Sequence, residues 1–257
     1  MFSSIINHYL ALALLASSGH ATQIFSNKGT TSGWDNINQE HSGTVQAVSN
    51  VVYEPSSAIK CTQVYDPNYT GRYHSDLRKD GIYRKGDTGF YGFAFRLQEN
   101  WDFSGSQSYN IAQFIADFND SGCDDWMPTT MIWLQGNQLY ARVKHGTVCP
   151  KTNQLITTFP NLASVSAGQW HKIVLQASWK SDNTGYFKLW FDGNKVLEQF
   201  NIPTTIDHDR AFGFSVGLYA NSWHDQKKLE GSQGTRQVWF DEIAVGSTFA
   251  DADPDQW

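Results

Sequence analysis

The chain has 257 residues, a net charge of −6, and 14% aromatic against 17% charged residues. That charge excludes a polyanion-binding surface over the whole protein, so an acidic ligand needs a local basic patch, and no nucleic-acid partner is expected. No apolar run is long enough to span a bilayer, so no membrane partner is expected either.

Residues 1–21 read as a secretory signal peptide. An apolar run over 9–16 is followed by Gly-His-Ala, a small-residue cleavage pattern, although no Lys or Arg precedes it. The mature product is expected to be exported, extracellular and monomeric. Neither a low-complexity linker nor an internal repeat divides 22–257, which are expected to form one domain. Sequons at Asn68 and Asn119 would accept glycans in a eukaryotic secretory route.

Strand-like segments then recur over 46–53, 57–63, 89–97, 110–117, 129–135, 138–144, 171–178, 186–191, 195–200, 212–221 and 237–245, separated by turn signals. Helical periodicity over twelve or more residues is missing after the leader. Many strands without helices point to an all-β fold, a jelly-roll sandwich of two antiparallel sheets whose concave face forms a cleft.

Segment 72–78 puts Arg72, His74, Asp76 and Arg78 on one face if it is extended. In 110–117 the same alternation sends Ala112, Phe114 and Ala116 inward and leaves Ile111, Gln113, Ile115 and Asp117 outside. The Gly136-Asn137 turn predicts a hairpin in which Met131, Trp133, Tyr140, Arg142 and Lys144 share a face. Carried outward, that register brings Cys123 within one residue of facing Cys149. This predicts a disulfide worth roughly 3 kcal/mol in the chain-entropy model and leaves Cys61 a buried free thiol. Segment 212–221 carries Phe212, Phe214, Val216 and Leu218 on one side. The other side has only Gly213, Ser215 and Gly217 before Tyr219 and Asn221. A strand so stripped on one side usually has something lying against it.

Residues 213–217 also fit G-x-S-x-G, but a nucleophile elbow needs a strand-to-helix turn, and no helix is expected after this strand. Paired carboxylates suited to glycoside hydrolysis are lacking too. What remains is Arg72, Arg78, Arg142 and Lys144 gathered with Gln113, His74 and Tyr219. Such a set can neutralise a carboxylate and move a proton, as β-elimination on a uronic acid requires. Gln113 and the cations are the expected neutralisers. Tyr219 is the candidate base and acid, with its pKa depressed by neighbouring Arg and Lys, and His74 is an auxiliary base. Trp133, Tyr140 and Trp223 are candidate sugar platforms, and Asn221 a candidate substrate contact. Segment 223–236 reads equally as a lid or a surface loop.

The set RYHSDLR, AQFIAD and FGFSVGLYANSW resembles the jelly-roll polysaccharide lyases. The likeness is greatest to the endo-β-1,4-glucuronan lyases of polysaccharide lyase family 20, over essentially the whole mature chain. GQWHKIVLQASW and GYFKLWFDGNKV resemble strands shared more widely by concanavalin-like lyases and lectins, and so speak to fold. The resemblance implies an acidic polysaccharide substrate, cleavage by elimination, an unsaturated uronate at the new non-reducing end, and no catalytic cofactor. Alginate-type relatives carry His two places after the Gln, where this chain has Ile115, which leaves Tyr219 as the leading base. Asp241, in VWFDEIAV, resembles the structural calcium ligand of jelly rolls, with a partner near Asn27 or Glu40. An alginate-type lyase and a non-catalytic, lectin-like domain are the alternatives.

Overall fold

The computed structural model describes residues 22–257; the leader reading falls on 1–21, outside the described residues. Fifteen strands succeed one another in the described chain. They are β1 (Gln23–Asn27), β2 (Asn36–Gln39), β3 (Thr44–Val48), β4 (Ala58–Val64), β5 (His74–Tyr83), β6 (Thr88–Leu97), β7 (Ser108–Asp117) and β8 (Trp126–Gln135). After these come β9 (Gln138–His145), β10 (Leu155–Ser164), β11 (Trp170–Ser178), β12 (Gly185–Phe191), β13 (Asn194–Ile202), β14 (Phe212–Tyr219) and β15 (Thr235–Gly246). One short α-helix, α1 (Asn221–Gln226), comes directly after β14. Every segment read as a strand overlaps an observed one. β1, β2 and β10 are additions, and β5 covers most of segment 72–78, whose shared face required it to be extended.

The strands form two antiparallel sheets, as a jelly-roll sandwich requires. One has eight strands, ordered β13-β12-β11-β6-β15-β4-β3 with β1 also on β15. The other has seven, ordered β10-β9-β8-β7-β14-β5-β2. The apolar side of β14 explains how they hold together. Phe212, Phe214, Val216 and Leu218 are all 0% exposed and face the other sheet, where Tyr91 and Phe93 pack on Phe214. Each such side chain contributes about 1.5–3 kcal/mol on burial. Two polar pairs caught in this core are satisfied. The Tyr83 hydroxyl meets Thr129 Oγ1 at 2.7 Å, and Trp179 Nε1 donates to the Tyr91 hydroxyl at 2.7 Å.

The hairpin register is the expected one: Gln135 faces Gln138, Trp133 faces Tyr140 and Met131 faces Arg142. Cys123 and Cys149 are bridged with their Cα atoms 5.9 Å apart, and Cys61 is a buried free thiol. One face assignment fails. The β7–β8 register shifts between Asn110 and Ala112, so Ile111 turns into the core at 0% exposure instead of facing out. A bulge adds one residue and swaps the parity of the strand on either side of it. A second shift lies beside Pro128, which has no N–H to give to the ladder.

Candidate active site

Three adjacent strands, β7, β14 and β5, carry the polar residues that the alternation marked. On β14, Tyr219 pairs with His74, Gly217 with Asp76 and Ser215 with Arg78 across to β5, while Ser215 pairs with Gln113 on β7. Their inward neighbours Leu77, Val216 and Leu218 are fully buried, so the polar set stands on the outer face of the seven-stranded sheet. There it lines a cleft of about 390 Å³.

Of the anticipated residues, Arg72, His74, Arg78, Gln113, Arg142, Tyr219 and Asn221 line this cleft. Lys144, Trp133 and Tyr140 lie outside its lining. Lys144 is turned to Gln154 Oε1 at 3.2 Å, and burial, then Arg142, pushes its pKa down. Trp133 and Tyr140 stack on each other at 5.4 Å, nearer the hairpin turn. Trp223 is no platform: it is 1% exposed, packed edge-on against Tyr73 and Tyr109. The 223–236 segment starts inside α1, which sets Asp225 at the cleft. A helix therefore does succeed β14, contrary to expectation. Ser215 nonetheless sits mid-strand between two neighbours, where no elbow can form.

The groups expected to move protons sit close together. The rings of His74 and Tyr219 stack at 3.8 Å and 14°. His74 Nδ1 lies 2.7 Å from Asp76 Oδ2, and Asn38 donates to Asp76 Oδ1 at 2.6 Å. An aspartate on Nδ1 fixes the tautomer that leaves Nε2 as an acceptor. His74 Nε2 has no hydrogen-bond partner among the described residues. Arg72 Nη1 donates to the Tyr219 hydroxyl at 3.1 Å. Tyr219 departs from expectation. Burial raises its pKa above the usual phenol value, and Arg72 only partly opposes this. At 6% exposure, losing water costs the phenolate more than one guanidinium returns. The phenol therefore holds its proton.

The bare side of β14 is closely approached by the neighbouring strand β5. A β-carbon at Gly217 (φ +153°) would lie 2.3 Å from the Asp76 Cβ, and one at Gly213 would lie 2.9 Å from Asp80 Oδ1 and 3.0 Å from Arg78 Cδ. Glycine lets β5 close on β14 so that its own side chains cross the strip. Asp76, two residues from His74 on the same face of β5, has room there because Gly217 lacks a β-carbon.

The groups expected to neutralise a carboxylate are unspent. Gln113 is 4% exposed, and its amide makes no hydrogen bond among the described residues. Arg142 has no ion-pair partner there; its Nε is buried without an acceptor, and burial pushes its pKa down against the pull of Asp225. Asn221 donates to Ser108 Oγ at 2.8 Å, while its Oδ1 is buried and unpartnered. Asn36, Asn38, Glu40, Asp125, Trp126 and Asp225 complete the wall and were not singled out from sequence as cleft residues. The alternation His74-Ser75-Asp76 could have found Asp76 as the partner of His74. The four residues of β2 (NINQ) offered no apolar rhythm, and Trp126 no signal at all.

At the calcium position, Asp241 is fully buried and its oxygens are taken by the backbone N–H groups of Tyr53, Glu54 and Glu242. The Asn27 side chain is likewise occupied by Thr30 and Ser32. Glu242, 1% exposed, has both carboxylate oxygens without a hydrogen-bond partner and Lys28 Nζ 3.6 Å away. No cluster of three or more His, Cys, Asp or Glu suited to a metal occurs among the described residues. The Glu242 oxygens, paired with Lys28 but without a hydrogen bond, are oxygen donors at this corner, and a buried carboxylate of that kind fits a hard cation.

The chain is similar to the endo-β-1,4-glucuronan lyase of the fungus Trichoderma reesei, at 58% identity and a TM-score of 0.90, over 92% of this chain and 100% of that one. The family 14 alginate lyase of the marine Aplysia kurodai shares the fold alone, at 9% identity and a TM-score of 0.57, over 89% of this chain and 100% of that one. No match is found among curated proteins. The family described as polysaccharide lyase matches residues 26–244, a span that holds every cleft residue named above. The chain belongs to the polysaccharide lyase family, and it is a lyase acting on a polysaccharide.

Proposed function

We propose that the protein cleaves β-1,4-linked glucuronan by β-elimination, with Gln113 and Arg142 on the substrate carboxylate and His74 and Tyr219 moving the protons. The observation that carries this is the His74–Tyr219 stack, buttressed by Asp76 on one side and Arg72 on the other. In β-1,4-linked glucuronate the C5 hydrogen and the C4 oxygen lie on the same face of the ring, so the elimination is syn. Base and acid must then work from one side of the sugar unit, as two side chains stacked next to each other can.

His74 Nε2 takes the C5 proton, and the electron pair left behind spreads into the adjacent carboxylate, where the Gln113 amide and Arg142 stabilise it. The C4–O bond then breaks, C4=C5 forms, and Tyr219 delivers its proton to the departing oxygen. Arg72 stabilises the phenolate left behind. This division of labour replaces the expectation of a tyrosinate base, because the raised pKa keeps Tyr219 protonated. Arg78 and Asn221 are substrate contacts along the same wall.

Mixing the purified protein with polyglucuronate should raise the ultraviolet absorbance of the C4=C5 bond. Binding without a new chromophore would instead favour a lectin-like role. Activity on polymannuronate alone would favour the alginate-type alternative. Export as a monomer belongs to the same reading, as do glycans at Asn68 and Asn119, both exposed. So does a structural calcium ion held by Glu242, with oxygens of the strand around Asn27, which would pin β1 to β15 without touching the chemistry. Chelation should then lower Tm, and added calcium should restore it.

A further inference from the structure

The cleft does not end at the catalytic groups. A second hollow of about 700 Å³ continues from it and shares Arg78, Ile115 and Trp126 with it. It runs along the strands, past Gly213 on β14 to Ala211 just before that strand and from Arg78 to Asp80 and Gly81 on β5. Six residues separate Tyr219 from Gly213, roughly 20 Å at about 3.3 Å per residue, the length of several sugar units. Trp126 stands at the junction, 42% exposed, with the Arg78 guanidinium 4.4 Å from its ring centre.

The cations of this second hollow differ in what they hold. Arg78 is paired with Asp80 at 2.6 Å, and Arg210 with Asp120 at 2.6 Å while lying over Phe118. Arg84 is exposed, has no carboxylate partner among the described residues, and is anchored only through Nη1 on the Asp209 carbonyl. An anchored guanidinium with free N–H groups presents a fork suited to a carboxylate.

We propose that this hollow is a distal subsite in which Arg84 binds the carboxylate of a uronate unit several sugars from the bond being cut. Trp126 guides the chain between the two hollows. The inference rests on the polyuronate reading above and adds to it a dependence on chain length.

The test compares kcat/KM on size-defined glucuronan oligomers, from the shortest one cleaved up to long chains, for the wild type and for Arg84→Gln. The side chain is exposed, so the variant should fold, and an unchanged Tm confirms it. The wild type should gain in kcat/KM as the chain grows long enough to reach the second hollow. Arg84→Gln should lose about tenfold on long chains, the scale of one exposed charge-assisted contact, and less than twofold on the shortest. Asp209→Ala, which keeps the carbonyl that anchors Arg84, should leave both rates unchanged. An equal loss at every length, or no loss at any, overturns the distal subsite while leaving the cleavage chemistry intact. No cleavage of any glucuronan by the wild type removes the parent reading, and this inference with it.

Discussion

Two histidine–aspartate pairs of equal length stand on different parts of the sandwich. His74 meets Asp76 at 2.7 Å on the cleft face, and His171 meets Asp192 at 2.7 Å beside the β12–β13 turn. The far nitrogen separates them. His171 Nε2 receives the Ser166 hydroxyl at 2.9 Å and the Ser166 N–H at 3.2 Å, so the ring fastens a loop and has no acceptor left. His74 Nε2 has no such partner among the described residues, and its ring lies against a tyrosine in a sugar-sized hollow. The charges divide in the same way. On the eight-stranded sheet Lys172 holds Asp253 and Asp255, and Lys188 and Lys195 share Glu198, whereas Arg142 in the cleft has no ion pair among the described residues. The pairing distance does not tell the two histidines apart; the groups left unsatisfied beyond it do.

The largest effects should come from removing what only the cleft pair has. Tyr219→Phe removes the proposed proton donor and should lower kcat by about 10³-fold or more, within the range of general acid–base catalysis, with the fold kept as judged by Tm. Asp76→Asn frees the wrong tautomer of His74 and should cost on the order of 10²-fold or more in kcat, whereas Asp192→Asn should leave kcat alone and show only in denaturant unfolding. Gln113→Ala should cost on the order of 10²–10³ in rate as one lost donor to the developing charge.

A smaller effect concerns alkaline pH. Burial holds Tyr219, Tyr83 and Tyr91 above the usual phenol range in the folded state. Unfolded phenols titrate near pH 10. Their contribution to stability is therefore complete below about pH 10 and lost as pH rises through the folded values. The urea midpoint should be level on the neutral side and fall above about pH 10. A fall beginning near neutrality would contradict this account of the tyrosines.

Much of this was legible in the chain because period two is a strong signal where one face is a core. The polar faces of β5, β7 and β14 emerge from alternation against Leu77, Phe114 and Val216, and the Cys123–Cys149 bridge from a hairpin register that holds to its last pair. The misses came from parity and from tertiary burial. The bulge at Asn110–Ala112 turned Ile111 inward, and another in β15, where Glu242 takes φ +47°, separates the spent carboxylate of Asp241 from the unspent one of Glu242. Lys144 shares the face of Arg142, yet the 151–154 segment draws it toward Gln154. The sign of the Tyr219 shift depends on how much water the finished cleft excludes, which no local pattern encodes.

The most direct test sets the two histidines side by side, measuring kcat on polyglucuronate for His74→Gln and His171→Gln along with the Tm of each. His74→Gln should lose at least about 10²-fold in kcat with little change in Tm. His171→Gln should keep kcat within a few-fold while losing about 1–2 kcal/mol of stability. Equal losses of kcat in both variants, or full activity in His74→Gln, would contradict the assignment of the open pair to proton transfer.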